Sequence, residues 1–415
     1  MHNNACMSSE ILPADSAAAT VALSRGHRAL ILFALTVGGF AIGTSEFASM
    51  GLMPNLVRDL GVSEPQVGHL ISAYALGVVV GAPLLALLAG GWPRKTLLLA
   101  LMGFYALGNL ASALGPDYHS LLVFRFIAGL PHGAFFGVSA LTAAAISRPE
   151  ERGKAVSLIM MGLTIAMLVG NPLATWLGQA ISWRWAFAGV SLLALITVLL
   201  TAWFLPAGAV PAVKAGVRAE LRAFNRLPVW QALLIGAIGF SGLFCVFSYL
   251  APTLMYVTGV KESWIPLGLA AIGLGGVIGN IAGGWLYDRY GFRGVALALG
   301  WAVVVLLLFP LAARSPWTVL PGAVAVGVMG AMAPVLQIRL MDVSGAAQTL
   351  AAASHHAAFN AANALGPWLG GLAIGAGLGW TSTGFVGAAT AALGLLVYAW
   401  AARVDAREDA CAECA

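Results

Sequence analysis

Charge is what this sequence has least of. Only 9% of its 415 residues are Asp, Glu, Lys or Arg, against 60% hydrophobic, and its mean hydropathy is +0.90. Soluble domains carry about a quarter charged residues. A chain this long and apolar is excluded from water as a monomer, and the lipid bilayer is its expected surroundings. The net charge of +5 does not point to nucleic acid, because the basic residues stand singly between apolar runs and form no patch. Cysteine is scarce too. Cys6 is in the N-terminal tail, Cys245 lies in an apolar run, and Cys411 and Cys414 form a CxxC near the C-terminus. No clustered His, Cys or acid set suits a metal, and no phosphate-cradling loop is present. Neither metal nor cofactor is expected, and a membrane enzyme is disfavoured. A scaffold is disfavoured as well, since no soluble domain stands outside the apolar runs. The first 28 residues lack the n-region, h-region and cleavage site of a removable signal, so the first apolar run is expected to stay as a helix. What the chain has in abundance is glycine, 51 residues, which suits helices packed closely inside a membrane.

A membrane-crossing helix needs about 20 apolar residues. Breaks at charges and at Gly and Pro clusters leave twelve such runs, numbered spans 1 to 12: 29–53, 66–91, 95–115, 119–147, 153–178 and 183–205, then 229–258, 264–287, 293–313, 317–341, 346–375 and 380–403. The spacing predicts an all-α membrane protein of two six-helix bundles (29–205 and 229–403) joined by a central loop (206–228), with an N-terminal tail (1–28) and a C-terminal tail (404–415). With both termini inside, inner segments hold Arg25, Arg28, Arg94, Lys95, Arg148, Arg152, Lys154, Lys214, Arg218, Arg222, Arg226, Arg289, Arg293, Arg339, Arg403 and Arg407. Outer segments hold only Arg58, Arg184, Lys261 and Arg314. Of the 21 Lys and Arg residues this sorts 16 inside and 4 outside, with Arg125 left within span 4. The positive-inside rule then orients the chain with cytoplasmic tails.

The two halves repeat each other. Gly39-Phe40 and Phe47 return 200 positions later as Gly239-Phe240 and Phe247; Gly77-x-Val79-x-Gly81 returns 198 later as Gly275-x-Val277-x-Gly279; Pro172 and Trp185 return 195 later as Pro367 and Trp380. A parallel repeat of six helices is one of the designs used by secondary transporters, which place their substrate site near the midplane between the repeats.

The stretch GGWLYDRYGFR, residues 283–293, resembles the signature loop of the major facilitator superfamily through Gly284, Leu286, Asp288, Arg289, Gly291 and Arg293. The matching first-half loop, AGGWPRKT, keeps the basic end, Arg94 and Lys95, and lacks the aspartate. Arg125 and Gly129 in LLVFRFIAGLPHG are similar to that superfamily's motif in span 4. GPWLGG in span 11 looks like its antiporter motif, which in span 5 reads GNPLATWLG with Asn171 in a place where glycine is usual. The order TSEF, GLMP, LGVS, ISAYALGVVVGAP, GLPHGAFFG, WRWAF is similar to the drug:proton antiporter branch, in particular its arabinose-efflux and chloramphenicol-resistance-like permeases. The resemblance covers about residues 29–403. It implies twelve helices in the inner membrane of a bacterium, proton coupling, and export of a small-molecule substrate by alternating access. An importing symporter or facilitator is the alternative. A monomer in the lipid bilayer, with protons and solute as its partners, is the expected unit.

Within the spans one acid stands away from the ends, Glu46, and one base, Arg125. Ionisable groups in hydrocarbon cost at least about 2.5 kcal/mol and usually face a cavity or a partner. Counting at about 1.5 Å per residue places both at similar depth, and the resemblance implies that spans 1 and 4 lie near each other, so a Glu46–Arg125 ion pair is expected, serving either proton coupling or static packing. His132, behind Pro131, is the third expected coupling residue or an interhelical hydrogen-bonder. The expected cavity residues are Phe47, Tyr74, Phe136, Asn171, Phe247, Tyr249, Asn280, Gln337, His356 and Asn360. His355 and His356 lie about 100° apart on a helix, so at most one of them is expected to face the cavity. Arg94, Lys95, Asp288, Arg289 and Arg293 are the expected gating set.

Overall fold

Helix starts and stops follow local chemistry. The computed structural model describes residues 23–88, 92–148, 151–208, 226–344 and 348–413. Ser24 caps the first helix by accepting the His27 N–H at 3.2 Å, and Asp117 opens span 4 in a reciprocal capping box with Ser120. Ser182 and Ser315 cap spans 6 and 10 by accepting the Arg184 and Trp317 N–H groups. A capping oxygen satisfies an amide that the first helical turn leaves without a partner.

The first six spans are Arg25–Gly51, Glu64–Leu88, Arg94–Leu114, Tyr118–Gly129 with His132–Ile146, Arg152–Ile165 with Asn171–Ala180, and Trp183–Phe204. The second six begin with Leu227–Leu234, which continues in short pieces to Thr258. They go on with Ile265–Tyr290, Arg293–Ala312, Pro316–Gly327 with Met332–Ser344, Gln348–Gly375 and Ser382–Glu413. Eleven of these segments are long and apolar enough to cross a membrane. Span 11 falls outside that group, and its sequence explains why: His355, His356, Asn360 and Asn363 dilute its apolar run. Span 12 runs on to Glu413, past the expected end at residue 403. Lys214, Arg218 and Arg222 of the central loop lie outside the described residues, as do Cys6 and Cys414 and the side chain of Cys411.

Proline accounts for two of the breaks. Pro131 has no amide to give Ile127, and the Leu130 N–H bonds that carbonyl instead, at 3.2 Å. Pro172 is preceded by a wider π-type turn, Ala166–Gly170, which makes room for a ring that would otherwise strike the preceding turn.

The internal repeat is visible in packing. Gly77 lies so close to the Phe126 carbonyl that a methyl group would collide with it, and its counterpart Gly275 meets the Val324 carbonyl in the same way. Span 2 therefore packs on span 4 as span 8 packs on span 10.

The chain ends of spans 1 and 12 define a tail face, and the opposite end is the far face. Polar contacts between the halves gather toward the far face. Arg58 pairs with Glu262 at 3.2 Å, Gln179 donates to the Glu262 carbonyl at 3.0 Å, and Ser72 donates to the Ala364 carbonyl at 2.8 Å. Near the middle, the Leu168 backbone sits directly against Gly273.

Candidate functional site: a cavity between the halves

Span 1 places Ser45 and Glu46 on adjoining faces, and the two do different jobs. Ser45 turns into the first half. The Arg125 guanidinium donates to the Ser45 hydroxyl and to the Ser45 carbonyl, each at 2.9 Å, and lies 4.3 Å from the centre of the Tyr74 ring and 5.0 Å from that of Phe187. The Ser45 hydroxyl donates to Asn109 at 2.5 Å. A fully buried cation is thus held by one serine, its backbone and two aromatic faces, an arrangement in which ring quadrupoles replace part of the lost hydration.

Glu46 turns the other way, toward the second half, and is only 4% exposed. Its Oε1 accepts the Asn363 amide N–H at 3.0 Å, so span 1 and span 11 meet through a carboxyl group. The expected Glu46–Arg125 ion pair is not formed. The ion pairs among the described residues join Arg28 to Glu151, Arg58 to Glu262 and Arg339 to Asp405. Depth counting brought Arg125 to the residue beside Glu46, since its guanidinium meets Ser45, but counting carries no rotation about the helix axis. Neighbouring residues point about 100° apart, and it is Ser45 that faces the arginine.

Glu46 opens onto a cavity of about 170 Å³ between the halves. Of the residues expected there, Phe47, Asn280, Gln337, His356 and Asn360 line it, beside Glu46 and His132 of the expected coupling set. Tyr74, Phe136, Asn171, Phe247 and Tyr249 do not, and each has another place. Tyr74 stands behind His132 with its hydroxyl 3.1 Å from His132 Nδ1. Phe136 stacks on the His356 ring at 5.1 Å, and Phe247 packs on Phe47 at 5.6 Å. Tyr249 donates to the Pro367 carbonyl at 2.7 Å. Asn171 is wholly buried, with neither amide atom hydrogen-bonded. Arg125 lies behind the wall.

Both His355 and His356 line the cavity, contrary to the expectation of one at most. The cavity is wide enough to span adjoining faces of span 11. His355 is braced by Phe359 at 4.5 Å, one turn on, and His356 by Phe136 of the other half. The remaining walls were not foreseen: Met160, Leu163, Thr164 and Met167 of span 5, and Phe240, Leu243, Phe244 and Phe359. Methionines and phenylalanines in an apolar run look the same whether they meet a cavity or a neighbour. Tyr105 and Asn109 of span 3 were also missed, although two polar residues one turn apart in that run were a usable signal. The Tyr105 hydroxyl donates to the Ile42 carbonyl at 3.2 Å and lies 3.1 Å from that of Tyr74.

The gating set stands apart from the cavity. Arg94 is largely buried, and Lys95 donates to the Ala202 carbonyl at 2.7 Å. Asp288 and Arg289 flank the end of span 8, where Gly291 takes a left-handed φ of 54°. Their neighbour Tyr287 donates to Asp342, joining spans 8 and 10. Arg293 opens span 9.

Two pseudo-equivalent six-helix bundles around a cavity lined by buried polar groups are the architecture of a secondary membrane transporter. The chain belongs to the Major Facilitator Superfamily, whose family model matches residues 35–299 and again 247–411. It is 39% identical over 379 residues to the inner membrane transport protein YdhP of Escherichia coli (strain K12), covering 90% of this chain and 96% of that one. It is 32% identical over 354 residues to a chloramphenicol resistance protein of Streptomyces lividans, covering 83% and 89%. The fold is similar to the crystal structure of a bacterial homolog of the human lysosomal transporter Spinster, in an inward-facing and occupied conformation. That likeness has a TM-score of 0.71 and 17% identity, covering 92% of this chain and 98% of that one.

Proposed function

We propose that the protein is a proton-driven exporter of small amphipathic organic solutes, with its tail face in the cytoplasm and Glu46 as the group over which proton and cargo compete. The observation that carries this reading is the position of Glu46. It is the acid set deepest within the spans, it borders the cavity, and it bonds across the boundary between the halves to Asn363. A carboxyl group that bridges two moving bodies changes its surroundings each time they rock. Its preference for the charged or the neutral form changes with them. A solute that needs the carboxylate and a proton that removes it then exclude each other, which is the condition for exchange.

The orientation rests on the distribution of Lys and Arg, 16 inner against 4 outer with Arg125 apart. The export direction and the inner membrane location rest on the relatives, among them a protein named for chloramphenicol resistance. Aromatic and methionine walls with a few convergent polar groups suit an amphipathic guest.

The test is transport in proteoliposomes of known sidedness under an imposed proton gradient, with a panel of drug-like and sugar-like solutes. Solute should move against the proton flow in the wild type, and Glu46→Gln should abolish the dependence on the gradient. Co-directional movement, or a gradient dependence unchanged in Glu46→Gln, removes the proposal.

A further inference from the structure

Behind the cavity wall runs a chain of hydrogen bonds, ending at His132, whose direction can be followed atom by atom. The Tyr105 hydroxyl has one hydrogen, and it is given to the Ile42 carbonyl, an acceptor only. The contact of 3.1 Å between the Tyr105 and Tyr74 hydroxyls must then take its hydrogen from Tyr74. With that hydrogen used, the Tyr74 oxygen can only accept in its contact of 3.1 Å with His132 Nδ1. The hydrogen of the His132 ring therefore sits on Nδ1. Its other nitrogen, Nε2, is buried and has no hydrogen-bond partner. A ring protonated on both nitrogens would leave a charged N–H without an acceptor, which costs more than an idle lone pair.

A second idle acceptor belongs to the same cavity. The Asn360 amide nitrogen is committed to the His356 carbonyl at 3.1 Å, and its oxygen has no partner. His132 comes from span 4 of the first half and Asn360 from span 11 of the second, and both line the cavity with Glu46. Buried polar groups normally find partners, so two unpartnered acceptors at a cavity wall are vacancies of one sign.

We infer that His132 is a specificity-determining residue: the relay Ile42–Tyr105–Tyr74 fixes its tautomer so that Nε2 accepts a hydrogen bond from a hydroxyl or amine of the solute, with Asn360 as a second acceptor. The cavity thus selects solutes that carry hydrogen-bond donors on an otherwise apolar body. This rests on the proposed solute cavity and is independent of proton coupling.

The tautomer is read directly by 15N NMR of histidine-labelled protein in nanodiscs, with His132→Gln assigning the signal. Wild type should show the Nδ1–H form. Tyr105→Phe frees the Tyr74 hydrogen for Nδ1 and should switch the ring to the Nε2–H form, while Tyr74→Phe removes the partner and should leave a mixture. Glu46→Gln should leave the tautomer unchanged, which separates this inference from the coupling reading. An Nε2–H form in the wild type overturns it, as does a signal indifferent to both tyrosine variants. For recognition, chloramphenicol, whose two hydroxyls and amide N–H are donors, should move the Nε2 resonance, and its di-O-methyl, N-methyl derivative, an ether with no donor left, should not. Tyr105→Phe should bind chloramphenicol about two- to twelvefold more weakly, the effect of about one lost hydrogen bond. Equal responses to diol and ether, or none to either, refute the assignment of Nε2 as the solute's acceptor.

Discussion

Replacing Asn363 by leucine tests the link between the halves with a side chain of the same branching that cannot donate a hydrogen bond. Asn363 is fully buried in span 11, and its amide reaches Glu46 of span 1 at 3.0 Å. The substitution removes a bond made in the conformation described here, in which the halves meet toward the far face. A hydrogen bond to a charged acceptor contributes about 1.5–3 kcal/mol, and one between neutral groups about 0.5–1.5. Each 1.4 kcal/mol is about tenfold in an equilibrium constant. The far-open state should therefore gain roughly ten- to 150-fold if Glu46 is ionised here, and roughly two- to twelvefold if it carries a proton. Spin labels at His119 and Ser263, exposed residues of the two halves near the far face, would report the population by the distance between them. A distance distribution that is the same in the variant and the wild type would refute the view that this contact biases the conformational equilibrium.

Other outcomes follow from neighbouring parts of the molecule. Gly77→Ala and Gly275→Ala should each lower thermal stability in detergent by an amount corresponding to about 1–3 kcal/mol, the usual cost of overpacking, and by similar amounts because they are twins. Arg125→Lys should destabilise the first half and abolish transport, since an ammonium cannot reach the hydroxyl and carbonyl of Ser45 in one plane as the guanidinium does; a thermal shift assay and a flux assay check it. Asp117 accepts the Ser120 N–H, and that bond holds its carboxyl below the usual range. The stabilisation is therefore present at neutral pH and is lost only as pH falls below the ordinary carboxylate range. Asp117→Asn, itself a good cap, should leave the neutral-pH melting temperature unchanged and flatten its acid decline.

Much of the architecture was legible before any coordinates. Helix ends in this chain are written in capping residues, prolines and charges, so the spans 95–115 and 183–205 read from sequence differ from Arg94–Leu114 and Trp183–Phe204 by a residue. The site was legible in part. Rarity singled out Glu46, because an acid in an apolar run has few reasons to be there. The same logic found Asn280, Gln337 and Asn360. It failed for Asn171 and for most of the aromatic residues: Phe47 lines the cavity, but Tyr74, Phe136, Phe247 and Tyr249 stand in the second layer. Facing was the missing information. A residue's rotation about its helix depends on which neighbouring helix the whole face meets, and that is decided by packing over many turns. The partner of Arg125 was misjudged by a single residue for this reason.

The meeting of Gly273 with the Leu168 backbone has a consequence for how the molecule ages under mutation. Main chain meets main chain at Gly273, so in the proposed rocking the halves pivot there with no glycine side chain to repack. Substituting that glycine should jam the motion before it unravels the fold. The damage would be a well-folded protein, normally inserted and abundant, that has simply stopped moving.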